Sequence, residues 1–169
     1  MTATPDRLRH MTAVYLCQDD RILLLYRQGG RVVNNVWVGS AGGHFEPEEL
    51  NDPRACVLRE LNEELGLTEG QLDSLCLRYI VLRNTANEVR QNYFFFAQLK
   101  KGAEEGLMSD EGRLQWFALD ELHALPMPLS ARQAIDHYLS TGRYDEVLYG
   151  GVTREDTAVF VPMTVYANS

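Results

Sequence analysis

Three carboxylates, Glu60, Glu63 and Glu64, fall within five residues in the run RELNEELGL, with Arg59 directly before them. Side chains at i, i+3 and i+4 share one face of a helix, and like charges placed there repel by about 0.2–0.5 kcal/mol per pair. Glu63 and Glu64 also lie toward the helix C-terminus, where the dipole disfavours negative charge. Two readings follow. One is a solvated acidic face, relieved in part by an Arg59–Glu63 pair at i, i+4. The other is a set of hard oxygen donors for Mg2+ or Mn2+, completed by a backbone carbonyl from the upstream glycines, Gly42 and Gly43.

The carboxylates need a helix of fixed phase to hold them. Asp52 suits an N-cap, Pro53 the first helical position and Gly66 the C-terminal stop, so the spacing predicts a helix over 53–65. At about 100° per residue, Leu58, Leu61 and Leu65 fall within roughly 60° and are the expected buried stripe, with the glutamates turned away from it. Upstream, MTAVYLC (11–17) and RILLLYR (21–27) read as strands joined by a turn at Gln18–Asp20, then a polar loop over 28–35 and a short strand in NVWVGSAGG. Downstream, 74–83, 89–99 and 112–119 read as strands, 119–124 as a short turn and 129–140 as a helix. The tail predicts a hairpin with Val147–Tyr149 facing Ala158–Phe160 around a turn at Gly150–Gly151. Interleaved strands and helices indicate an α/β (mixed α+β) class, a mixed β-sheet sandwiched between helices.

With 169 residues, 45% hydrophobic and 24% charged, the chain is expected to form a single domain over 1–169, its core about 9–141 and its C-terminal hairpin about 142–165. A net charge of −8 argues against a binder of nucleic-acid polymers, which needs Lys and Arg to displace phosphate counterions. Three scattered cysteines, Cys17, Cys56 and Cys76, suggest neither a disulfide framework nor a zinc site. No segment reaches the ~18 apolar residues of a membrane span. A cytoplasmic protein without a membrane partner, either monomer or homodimer, is the expectation.

At this point the stretch GGHFEPEELNDPRACVLRELNEELGL resembles the Nudix box: Gly, five residues, Glu, seven residues, Arg-Glu, an aliphatic, any residue, Glu-Glu, any residue, Gly, aliphatic. Gly43, Glu49, Arg59, Glu60, Leu61, Glu63, Glu64, Gly66 and Leu67 occupy its nine specified positions. One departure stands out, since nine residues rather than seven separate Glu49 from Arg59. The surplus lies at the loop-to-helix junction, so it is expected to lengthen the loop and leave the helix register intact.

The resemblance implies the Nudix fold and metal-dependent hydrolysis of a nucleoside diphosphate linked to another moiety. It assigns metal binding to Glu60, Glu63, Glu64 and the carbonyl of Gly42, with Mg2+ as cofactor and Mn2+ as an alternative. Gly43, Glu49 and Arg59 support the box, and Glu60 or Glu111 would accept the proton from the attacking water. The surroundings from Arg27 through Trp37 are similar to the nucleotide-sanitising, 8-oxo-dGTP diphosphatase-like subgroup, which makes a (modified) NTP or dNTP the expected small-molecule partner. Arg27 and Trp37 are the expected substrate-binding residues, Trp37 by stacking on a base. Alternatives are an ADP-ribose or nucleotide-sugar pyrophosphatase and a non-catalytic nucleotide-sensing module. An isopentenyl diphosphate isomerase would need a Cys and Glu arrangement that has no recognisable match.

Overall fold

The computed structural model describes residues 7–30 and 34–165; Arg31, Val32 and Val33 of the expected 28–35 loop, and both ends of the expected 1–169 unit, lie outside the described residues. Strands β1 (Leu8–Gln18), β2 (Arg21–Arg27) and β3 (Val36–Val38) precede helix α1 (Pro53–Leu65). Then come β4 (Leu72–Asn84), β5 (Val89–Leu99), β6 (Gly112–Ala118), helix α2 (Leu129–Ser140), β7 (Tyr149–Arg154) and β8 (Thr157–Pro162). They build one mixed sheet in the order β3-β2-β1-β5-β4-β7-β8, with β6 on the other side of β2. Among the described residues only the β1–β5 and β4–β7 pairings are parallel.

The alternation of β1 divides the core. Val14 and Leu16 point to one face and join Val57, Leu61 and Leu65 of α1. Tyr15 and Cys17 point to the other and join Ala131, Ala134 and Ile135 of α2. A sheet sandwiched between helices is therefore what a period of two along the strands and an apolar stripe on each helix produce.

Helix α1 has the expected ends. The Asp52 carboxylate accepts the Ala55 N–H at 3.0 Å, and Gly66 closes the helix in the left-handed region at φ 66°. Its stripe is displaced from the expected one. Val57, Leu61 and Leu65 are buried at i, i+4 and i+8, while Leu58 is only half-buried. The helix lies against β1 on its Val57 side, which draws Cys56 and Glu60 inward as well.

The C-terminal hairpin is also a correction. Its turn is at Glu155–Asp156, with Glu155 at φ 48°, and Gly150 and Gly151 lie inside β7. Gly151 pairs with Phe160, and a Cβ on it would come within 2.6 Å of that ring, so the glycine makes room for an aromatic rather than a turn.

An irregularity in β4 between Leu77 and Tyr79 turns Arg78 out of the ladder. Its guanidinium donates to the carbonyls of Gly142 at 2.7 Å and Val147 at 3.1 Å and to Asp145 at 2.8 Å. Asp145 in turn accepts the Tyr149 hydroxyl at 2.7 Å. One buried cation thus ties the sheet to the segment that launches β7. Arg78→Met, which leaves these acceptors unpaired, is expected to destabilise the protein by about 2–4 kcal/mol in urea denaturation; an unchanged midpoint would contradict that role.

Candidate functional site

The sheet splits where the acidic helix meets it. β1 pairs with β2 only from Leu16 to Gln18; beyond Leu23, β2 leaves β1 and takes β3 as its neighbour. The segment 40–45 fills the gap. Val14 N–H donates to Ala41 O at 2.9 Å, and Thr12 N–H donates to Gly43 O at 2.8 Å. Ser40 pins the fork: its hydroxyl accepts the Leu16 N–H at 2.9 Å and donates to Leu23 O at 2.6 Å.

Close approach explains both glycines. A Cβ on Gly42 would lie 2.3 Å from Thr12 O, and one on Gly43 would lie 2.2 Å from Glu60 Oε1. The absent side chains let the Glu60 carboxylate rest directly against the loop backbone. On the same side, Gly42 N–H donates to Glu64 Oε2 at 3.1 Å.

Arg59 joins loop and helix. It donates to Glu49 through Nε at 2.7 Å and Nη2 at 3.0 Å, to Glu60 and Glu63 through Nη1 at 2.9 Å each, and to the His44 carbonyl at 3.0 Å. The longer spacing between Glu49 and Arg59 leaves this contact intact. A single helical turn at Pro47–Glu49 delivers the Glu49 carboxylate, which also accepts the Glu46 N–H at 3.0 Å, and residues 50–52 absorb the surplus before the cap. The Arg59 hydrogen bonds hold the Glu49 carboxyl down to about 2.

Electrostatics around the other acids run the opposite way. Burial raises the Glu60 pKa, although Arg59 opposes it. Burial likewise raises Glu64 from its ordinary 4.5 to about 7, Gly42 N–H opposes this, and Glu60 and Glu111 add to the rise. These carboxylates carry more negative charge than their surroundings compensate, and oxygen donors in that condition suit a hard divalent cation. Among the described residues no group of three His, Cys, Asp or Glu is arranged to hold a metal. Glu60 and Glu63 both accept from Arg59 Nη1.

Glu64 and Gly42 line a cavity of about 140 Å3 that continues between the sheet and the start of α2. Arg27 lines it too, and its guanidinium is ion-paired with Glu111, brought alongside by the Arg27–Gly112 pairing of β2 with β6. Trp37 does not line it. Expected as an exposed stacking surface, Trp37 is 6% exposed and packs edge-on against Phe117 at 4.7 Å and beside Tyr26 at 4.9 Å. A short strand paired to β2 directs its side chain into the α2-side core. Three polar residues in the cavity wall, Arg83, Arg90 and Asn92, escaped the sequence reading, because only the register of β4 with β5 puts them together.

The NUDIX domain family model matches residues 7–138. Among solved structures, the chain is similar to the MutT protein from Bacillus halodurans, at 22% identity and a TM-score of 0.66 over 91% of this chain and 97% of that one. It is similar to a MutT NUDIX hydrolase from Burkholderia pseudomallei, at 26% identity and a TM-score of 0.56 over 78% of this chain and 98% of that one. It also shares its fold with a C. elegans Ap4A hydrolase in a binary complex, at 14% identity and a TM-score of 0.63 over 81% and 99% of the two chains. No curated protein matches. No helix among the described residues is long and apolar enough to cross a membrane.

The raised Glu64 pKa makes a stability prediction for the metal-free protein. A carboxylate with a higher pKa folded than unfolded binds its proton more tightly when folded, so its favourable contribution is complete below about 4.5 and is lost as pH rises through about 7. Glu64→Gln, which keeps the acceptor for Gly42 N–H, is therefore expected to match the wild type near pH 4 and to exceed it at pH 8 by about 1–2 kcal/mol after solvent screening. Denaturation in the presence of a chelator at the two pH values checks this; equal stability at pH 8 would refute it.

Proposed function

The chain belongs to the Nudix family of pyrophosphohydrolases, and on that premise we propose that it hydrolyses a (modified) NTP or dNTP to the nucleoside monophosphate and pyrophosphate, with Mg2+ or Mn2+ as cofactor. The observation that carries the proposal is the bank of undercompensated carboxylates on α1, set beneath Gly42 and Gly43 at the wall of a cavity. A second reading, an ADP-ribose or nucleotide-sugar pyrophosphatase, uses the same machinery on a different leaving group. A reduced, cytoplasmic setting suits the three free cysteines.

Glu60, Glu63, Glu64 and the carbonyl of Gly42 would hold the cation. When bound, it supplies neutralisation of the diphosphate oxygens and a lower pKa for its water. The remaining work belongs to the chain. Both expected bases are engaged by an arginine, Glu60 by Arg59 and Glu111 by Arg27; Glu60 is the better placed because it is buried with a raised proton affinity, whereas Glu111 is exposed. Arg59, itself anchored by Glu49, orients Glu60 and Glu63 without needing to touch substrate. Arg27 lines the cavity and meets a substrate phosphate in competition with Glu111. The apolar wall formed by Leu25, Val38 and Phe94 takes the base and excludes water from it.

The test is product release from canonical and oxidised dNTPs, NTPs, ADP-ribose, NADH, diadenosine polyphosphates and nucleotide sugars, each with Mg2+ or Mn2+. A preference for a nucleoside triphosphate by two or more orders of magnitude in kcat/KM, about 3 kcal/mol of transition-state discrimination, is the expected result. A comparable preference for ADP-ribose or a nucleotide sugar would transfer the assignment to the second reading. Glu63→Gln and Glu64→Gln are expected to lower kcat at least a hundredfold while the protein stays folded. Wild-type rates in both would remove these residues from the site.

A further inference from the structure

Three arginines stand in one row across the sheet. Arg9 of β1 is in register with Arg90 of β5, and Arg90 is in register with Arg83 of β4. Like charges directly opposite one another on neighbouring strands are destabilising, and this chain is acidic overall, at −8. One carboxylate serves the row. Glu88, 7% exposed, accepts Arg9 at 3.0 Å and Arg90 at 2.8 Å. Among the described residues Arg83 has no ion pair, so two positive charges of the row stay uncompensated.

The row is not an open surface patch. Arg83 and Arg90 line the same cavity as Gly42 and Glu64, and Asn92 lies between the two ends. A Cβ on Gly42 would meet the Ala13 Cα at 2.7 Å, and Ala13 is in register with Phe94, four residues beyond Arg90 on β5. At the rise of a strand, four residues correspond to about 13 Å. The cationic end is thus farther from the box glycines than a diphosphate alone extends. A ligand filling the cavity would present its reacting phosphates to the glycines and its other end to the arginines.

We propose that the Arg83–Arg90 end of the cavity, backed by Arg9, binds a second anionic group: the substrate carries a phosphate ester on the nucleoside side, remote from the scissile diphosphate. This inference rests on the cavity being the substrate site. Formal charge distinguishes it from reading of a base edge. A neutral base needs donors, whereas the unpaired Arg83 beside Arg90, whose one carboxylate partner is shared with Arg9, is matched by a phosphate, which arginine binds in bidentate fashion.

Calorimetric binding without metal tests the proposal independently of turnover. The probes are the 3′,5′-bisphosphates and 2′,5′-bisphosphates of adenosine and guanosine, each against its 5′-monophosphate. In the wild type at least one bisphosphate is expected to bind ten times more tightly than its monophosphate, and the 2′ and 3′ arms identify the ester position. Arg83→Gln is expected to cut that ratio below threefold, Arg83→Lys to retain part of it, and Arg143→Gln, a surface arginine stacked on Tyr144, to leave it unchanged. Equal affinity of both members of every pair, or no bisphosphate binding below about 1 mM, overturns the proposal. So does an Arg83→Gln variant that weakens mono- and bisphosphates alike, or guanosine compounds alone regardless of the extra phosphate, because the arginine would then serve the reacting phosphates or the base. An intact bisphosphate preference with no hydrolysis of any substrate would instead sink the enzymatic reading and leave the second anion subsite standing as part of a nucleotide-binding cavity.

Discussion

The Arg59 guanidinium is the contact on which the candidate site depends. Its planar fork engages Glu49 in bidentate fashion from the loop, Glu60 and Glu63 from its own helix, and the His44 carbonyl from the glycine segment. A lysine, with one compact charge, has no comparable geometry. Without that hub, Glu60 and Glu63 would lose their cationic partner, and Glu49 would have no ionic tie to the helix. Arg59 leaves the job incomplete, however. Glu64 accepts the Gly42 N–H, and burial raises its proton affinity against that bond.

The sheet provides the setting for this imbalance. β2 keeps β6 along one edge throughout; on its other edge it runs beside β1 for three residues and then takes β3, and the wedge between β1 and β2 admits a glycine segment in place of a strand. Backbone therefore approaches the carboxylates where side chains would otherwise stand. The same wedge opens toward α2, so the acidic helix on one face and the cavity on the other meet through a gap in the sheet. A parallel β1–β5 pairing then carries the cavity floor away from the glycines toward Arg90.

Legibility in the sequence followed the range of the interactions. The limits of α1 depend on Asp52, Pro53 and Gly66, all local, and could be read from residue types alone. The resemblance offered Glu49 as box support, but the longer loop left its contact with Arg59 open in the sequence; the helical turn at Pro47–Glu49 makes that contact. Features that depend on strand register were hidden. Gly150 and Gly151 look like turn residues until Phe160 is placed opposite Gly151. Trp37 beside glycines looks exposed until Phe117 and Tyr26 close over it. Arg9, Arg83 and Arg90 are far apart in sequence, and no local pattern marks them as neighbours. Even the stripe of α1 moved from Leu58 toward Val57, because the partner strand decides where the centre of a helical face lies.

The Asp52 cap has one more consequence, for how the box can vary. A helix takes its rotational phase from where it starts, and here the start is set by a side-chain bond to Ala55 N–H and by Pro53, downstream of Glu49. The stretch from Leu50 to Asp52 therefore acts as slack in the chain. Residues added or removed there change the length of a link but not the angle at which the glutamates emerge, provided Glu49 still reaches Arg59. A single insertion between Asp52 and the first glutamate would instead swing every carboxylate beyond it by about 100° relative to the cap and to the loop that Glu49 anchors. The longer box is thus a change of tether length upstream of a mechanical stop, and the machinery beyond that stop keeps its orientation.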